Sequence, residues 1–111
     1  MPRSITHVAT LPRGRNPRCG AGGPCLDAAA ATATVSVPDL SRERRWPRYT
    51  PAALDAGVRS SLSIGLPIHD TVTGALNMYS TELGAFDDEA VVLAQTFSGY
   101  AAVALVRSAH R

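Results

Sequence analysis

Between Gly57 and Ser80 the chain alternates apolar and polar positions with a period of two, the pattern of a half-buried strand. Val58, Leu62, Ile64, Leu66 and Ile68 fall on one face, and Arg59, Ser61 and Ser63 on the other. A second run sets Leu76 and Met78 against Asn77 and Tyr79. His69, Asp70 and Thr71 supply the turn, so the stretch reads as a long hairpin. A hairpin alone is marginal in water, so the flanking segments must cover its two faces.

The apolar face has an evident partner. Asp87 is a good cap, with Asp88 and Glu89 in the first turn of a helix predicted from Asp87 to about Ser108. Phe86 and Val91 fit a hydrophobic staple, and the helix is roughly 30 Å long. Ala90, Leu93, Ala94, Phe97, Ala101, Ala104 and Leu105 form a face broad enough to lie on a sheet. A second line, Val92, Thr96, Gly99, Val103 and Val106, follows coiled-coil spacing and predicts a dimer interface.

Upstream, Pro24–Ala31 reads as a short helix with proline in its first turn, and Thr34–Val37 as a short strand ended by Pro38. Residues 39–56 read as two helical turns and a loop, with Ser41 and Thr50 as caps and Gly57 as the closing residue. Trp46 or Tyr49 should pack on the polar face of the hairpin. Residues 1–22 hold three prolines without sustained periodicity and are expected to be an irregular arm, with at most a short strand over Ile5–Val8.

Composition narrows the function. Hydrophobic residues are 45% and charged residues 18%, which is globular. The net charge of +2 is uneven: four arginines precede Cys19 without an acid, and seven arginines face nine acids afterwards. The folded part is mildly acidic, so direct nucleic-acid binding is not expected. Without a signal segment or an apolar run near the roughly 20 residues that span a bilayer, a cytoplasmic chain off the membrane is expected. Cys19, Cys25 and His7 match no zinc spacing. Gly20, Gly22 and Gly23 lack the strand and Lys-Ser/Thr pair of a nucleotide loop. His69 and His110 are poorly placed for haem, and no catalytic triad can be assembled. No cofactor is indicated.

The runs GPCLDAAAATATVSVPDLSRERRWP, AGVRSSLSIGLPI, TGALNMYS and GAFDDEAVVLAQTFSGYAAVAL resemble the second half of GAF domains, as found in actinobacterial transcription regulators, where an RNA-binding ANTAR domain often follows. The resemblance covers about Gly23 to Val106. It implies an α+β fold: an antiparallel sheet of five or six strands, flanked by helices that often dimerise. It also implies a small-molecule pocket lined by Trp46, Tyr49, Arg59, Ser61, Asn77 and Tyr79. On this reading residues 23–107 are a partial, N-terminally incomplete GAF domain with an open sheet edge, followed by a 108–111 tail and no output domain. The expected role is non-enzymatic sensing, as a homodimer or paired with a GAF-containing relative. Two alternatives stay open: a truncated remnant that only associates through its helix, and an enzyme resembling free methionine sulfoxide reductases acting through Cys25. The reactive cysteine of those enzymes falls near the segment matching Ala53 to Val58, where this chain has none.

Overall fold

The computed structural model describes residues 4–12, 23–69 and 72–109. They form four strands and three helices: β1 (Ser4–Pro12), α1 (Pro24–Ala31), β2 (Thr34–Val37), α2 (Tyr49–Asp55), β3 (Ser60–His69), β4 (Val72–Ser80) and α3 (Asp88–Ala109), with a short 3-10 turn at Leu40–Arg42. The strands make one antiparallel sheet in the order β1-β4-β3-β2. The fold is α+β with a long C-terminal helix, as expected.

The hairpin is the centre of this sheet. Leu62 pairs with Met78 and Ile64 with Leu76, while Ser61 pairs with Tyr79 and Ser63 with Asn77. Directly opposed residues of antiparallel strands share a face, so the alternation read from the sequence becomes two chemically distinct sheet surfaces. Leu62, Ile64, Leu76 and Ala94 form the core beneath α3, joined by Met78, Phe86 and Val91. At the start of α3 the Asp87 carboxylate accepts from the Ala90 N–H at 2.8 Å. Both the staple and the cap are therefore in place.

Three expectations need correction. Ser4–Pro12 is not irregular: it is a nine-residue strand paired along its whole length with β4, from Ser4 opposite Ser80 to Pro12 opposite Val72. The edge of β4 is consequently covered. Ile5, Thr6, Val8 and Thr10 are β-branched and suit a strand, but their hydrogen-bond partner lies some seventy residues away, beyond any local pattern. The remainder of the expected arm, 1–3 and 13–22, lies outside the described residues, as do 70–71 of the expected turn; of the expected tail at 108–111, the first two residues belong to α3 and 110–111 lie outside the described residues.

The seating of α3 also differs. Ala94 and Ser98 are buried against the sheet, whereas Leu93 and Phe97 are 65% and 56% exposed. Small side chains let the helix approach closely, so the larger ones turn to its flank. Val58 is the third case. Its N–H still bonds to Ala53 O at the close of α2, and its side chain packs with Val37, Leu40 and Trp46 instead of extending the apolar face of β3.

Candidate functional site

The polar face of the sheet carries α1. Gly65 marks the closest approach: a Cβ there would lie 2.1 Å from Ala28 O and 2.7 Å from Thr32 Cα. Glycine inside a strand is what such backbone contact requires. The chain leaves α1 through Thr32 in the left-handed region (φ 48°), with the Ala33 N–H on Ala28 O at 3.0 Å. The carbonyl of Ala33 then accepts from the Gly65 N–H at 2.8 Å, which carries β2 straight onto β3.

Beneath α1 lie Ser61, Ser63 and Asn77, all fully buried. The Asn77 Nδ2–H donates to Cys25 Sγ at 3.3 Å, joining β4 to the second residue of α1. Among the described residues, Ser61 Oγ and Ser63 Oγ have no hydrogen-bond partner. A buried hydroxyl without a partner costs about 1–3 kcal/mol. Two of them on one face form a polar surface that the described residues do not saturate.

Two tyrosines border this surface. The Tyr49 ring lies against Gly23, so closely that a Cβ on that glycine would stand 3.3 Å from Tyr49 Cδ1. Burial raises the Tyr49 phenol, and charge at Cys25 adds to the shift. Tyr79 is raised much further, first by burial, then by its proximity to Tyr49 and to Cys25. Both phenols therefore stay protonated at neutral pH, as donors.

The connection between β2 and β3 closes over the same face, because Val35 and Val37 pair with Ser63 and Ser61. Val37, Leu40 and Trp46 form its core, packed with Tyr49, Ala53 and Leu54. The Trp46 indole N–H donates to Asp27 Oδ2 at 2.8 Å, which fastens this strap to α1. Tyr49 meets Trp46 edge to face at 6.2 Å, and the Arg45 guanidinium sits 4.4 Å from the indole centroid. Asp39, and not Ser41, caps the 3-10 turn, accepting from the Ser41 N–H at 3.0 Å. Thr50 does not cap α2: it lies within the helix, buried, with its hydroxyl unpaired among the described residues.

Arg45 and Glu43 form a two-point ion pair, with Nε to Oε1 at 2.8 Å and Nη2 to Oε2 at 2.9 Å. Chiefly this hydrogen bonding lowers Glu43 from 4.5 to about 2. A carboxylate depressed in the folded state stabilises it above the ordinary pKa and loses that contribution as pH falls through the folded value. Glu43→Gln should therefore flatten the stability curve between about pH 4.5 and about pH 2. The Arg45 side chain is half exposed, so the effect is expected below about 1 kcal/mol. Urea unfolding at both ends of that window reads it.

Of the residues expected to line a pocket, Tyr49, Ser61, Asn77 and Tyr79 are brought together. Trp46 stands one layer out, as a clamp. Arg59 does not join them: its side chain is exposed, and its backbone is engaged, through Ser80 O at 2.8 Å and the Leu40 N–H at 2.9 Å. It lies one residue before β3, where the alternation does not yet hold. Cys25 and Ser63 join the site without having been expected there. Ser63 shares the parity of Ser61, and Gly65 signals the close approach that delivers Cys25.

A separate cavity of about 340 Å³ opens on the opposite face, between α3 and β1–β4. Its walls are Thr6, Leu76, Met78, Ala90, Leu93, Ala94 and Phe97, nearly all apolar. Beyond it, Val92, Thr96, Gly99 and Val103 are exposed on α3, while the Val106 side chain lies outside the described residues. Among the described residues no cluster of His, Cys, Asp and Glu could hold a metal, and no helix is long and apolar enough to cross a membrane.

The GAF domain family model matches residues 4–106, a span that takes in β1 as well as the hairpin and α3. The chain belongs to the GAF domain family, a class of general sensory and ligand-binding modules. No curated protein and no solved structure gives a significant match.

Proposed function

We propose that this chain is a non-enzymatic sensory module that binds a small molecule between α1, the strap over residues 39–56 and the polar face of β3–β4. Tyr49, Ser61, Asn77 and Tyr79 contact the ligand, with Ser63 and Cys25 added to them. The observation that carries the reading is the pair of fully buried serine hydroxyls that have no partner among the described residues. Such groups are retained at a cost unless a ligand or bound water meets them. Binding orders the strap, and the change passes to a partner through α3. The setting we propose is the cytoplasm, within transcription regulation.

A thermal-shift screen with nucleotides, haem and aromatic metabolites tests this. A ligand at a hundred times its Kd stabilises the fold by about 2.7 kcal/mol. The shift should disappear in Ser63→Ala. Stabilisation by none of these compounds, or a shift untouched by the variant, counts against the site.

A second reading concerns α3. From Ala90 to Val106 the helix holds no charged residue, and Val92, Tyr100 and Val103 are 60%, 74% and 54% exposed. This face supports a homodimer, or pairing with a GAF-containing relative. Val103→Glu should then delay elution in size-exclusion chromatography to the monomer volume. An elution volume equal to that of the unaltered protein would remove the role of this face.

A further inference from the structure

We propose that the outer edge of β1 is an interface between two copies of this chain, joined as antiparallel strands of one continuous sheet. β1 stands at the end of the strand order, so its outer edge has no strand beside it among the described residues. Such an edge presents a row of backbone N–H and C=O groups that a further strand can satisfy. Sheet proteins commonly block it with a charge, a bulge or a proline. β1 uses none of these along its length. Ser4–Pro12 holds no Asp, Glu, Lys or Arg, its pairing to β4 runs without a shift of register, and its one proline is the last residue.

The second observation lies on the α3 side of the same strand. Thr6 pairs with Met78, and both line the cavity of about 340 Å³ together with Leu93 and Phe97. Those two large apolar side chains are more than half exposed, and they flank the β1 side of α3. The free edge and the apolar flank are therefore contiguous, through Thr6.

The symmetry of the edge favours a second copy as the occupant. A strand that pairs antiparallel with its own copy does so about a twofold axis normal to the sheet. That axis keeps both α3 helices on one side of the joined sheet, so Leu93 and Phe97 of each copy flank the same junction. Pairing the edges thus brings the two apolar flanks together, and an uncharged strand sets no like charges opposite each other. The sequence that follows β1, RGRNPRCGAG, is a poorer occupant, because Gly14, Pro17, Gly20 and Gly22 disfavour a strand. A nine-residue edge, roughly 30 Å long and roughly 10 Å deep, covers about 300 Å² per copy, against about 800 Å² per partner in a stable interface. The flank of α3 has to supply the remainder, and the dimer is weak and set by concentration. α1 and the strap lie on the opposite face, so the ligand site stays open in both copies.

The test uses the full chain carrying Val103→Glu, which takes the outer face of α3 out of play and separates this interface from the one proposed there. Sedimentation equilibrium from micromolar to millimolar concentration should show this chain passing from monomer to dimer. Amide exchange of β1, followed by NMR, should change with it. In the monomer only every second amide of β1 is protected, by β4; in the dimer the others become protected too. A chain that stays monomeric at millimolar concentration overturns the proposal. So does a dimer in which the second set of β1 amides exchanges as fast as in the monomer, or protection of that set in the monomer, which would mean that another part of the chain covers the edge. Ile5 is 62% exposed, so Ile5→Lys should keep the fold, and it places a charge at the pairing edge. It should weaken the dimer by at least about tenfold, as should Phe97→Glu. A dissociation constant unmoved by Ile5→Lys overturns the assignment, and if Phe97→Glu does not fold, Ile5→Lys and the exchange pattern decide.

Discussion

Replacing Gly65 by alanine will destabilise this chain by about 3 kcal/mol, near the upper end of what overpacking costs. The new methyl group would meet backbone on α1, with Ala28 O at 2.1 Å and Ala28 C at 2.9 Å. A flexible side chain could swing aside, but a helix backbone moves only as a unit. Moving α1 would pull Cys25 from Asn77 and strain the bond from Trp46 to Asp27. A domain of this size has about 5–15 kcal/mol of stability in total, so the loss is a large share. The midpoint of urea unfolding measures it. Gly99→Ala is the matched control: nothing lies within 4 Å of a Cβ there, and alanine in an exposed helical turn should raise stability by about 0.5–1 kcal/mol. Equal midpoints for the two variants would mean that α1 does not rest on β3.

The same glycine shows what was legible beforehand. Alternation along 57–80 was enough to assign two strands, their faces and the helix that covers one of them, because those properties are written every second or every third and fourth residue. The cap at Asp87 and the helix that follows were equally local. What the sequence left unread was non-local. β1 pairs with a strand some seventy residues downstream, so its residues show only β-branching and no partner. The rotation of α3 is not fixed by its pattern, because alanine contributes to any stripe: Ala94 and Ser98 face the sheet, and Leu93 and Phe97 flank the cavity instead. The candidate site was legible in part. Ser61, Asn77 and Tyr79 follow from strand parity and register. Cys25 depends on how α1 crosses the sheet, and Arg59 on where the strand begins. Neither is a property of spacing.

Trp46→Ala should cost about 3–5 kcal/mol, the range for emptying a buried aromatic site. Trp46 is only 3% exposed and centres the cluster with Val37 and Leu40, against which Tyr49, Ala53, Leu54 and Val58 pack. Those contacts hold the strap over the polar face of the sheet. The hydrogen bond to Asp27 is a smaller part of the whole. Asp27 is exposed, so its carboxylate regains water when the indole N–H is lost. Trp46→Phe, which keeps most of the ring, should accordingly cost about 1 kcal/mol. The ratio between the two variants is the informative quantity. A large loss in both would mean that the strap hangs on the indole–carboxylate bond, and then Asp27→Ala must reproduce it. A large loss in Trp46→Ala alone means that apolar packing holds the strap and the bond sets only its orientation. Trp46 is the sole tryptophan of the chain, so its fluorescence reports the strap directly. In Asp27→Ala the emission should shift to longer wavelength as the ring meets water, while the unfolding free energy read from urea falls by no more than about 1 kcal/mol. A strap loosened in this way also frees Tyr49, which touches Trp46 on one side and Gly23 on the other. Any ligand taken up beside Tyr49 and Asn77 should therefore bind more weakly in Asp27→Ala than the small change in global stability would explain.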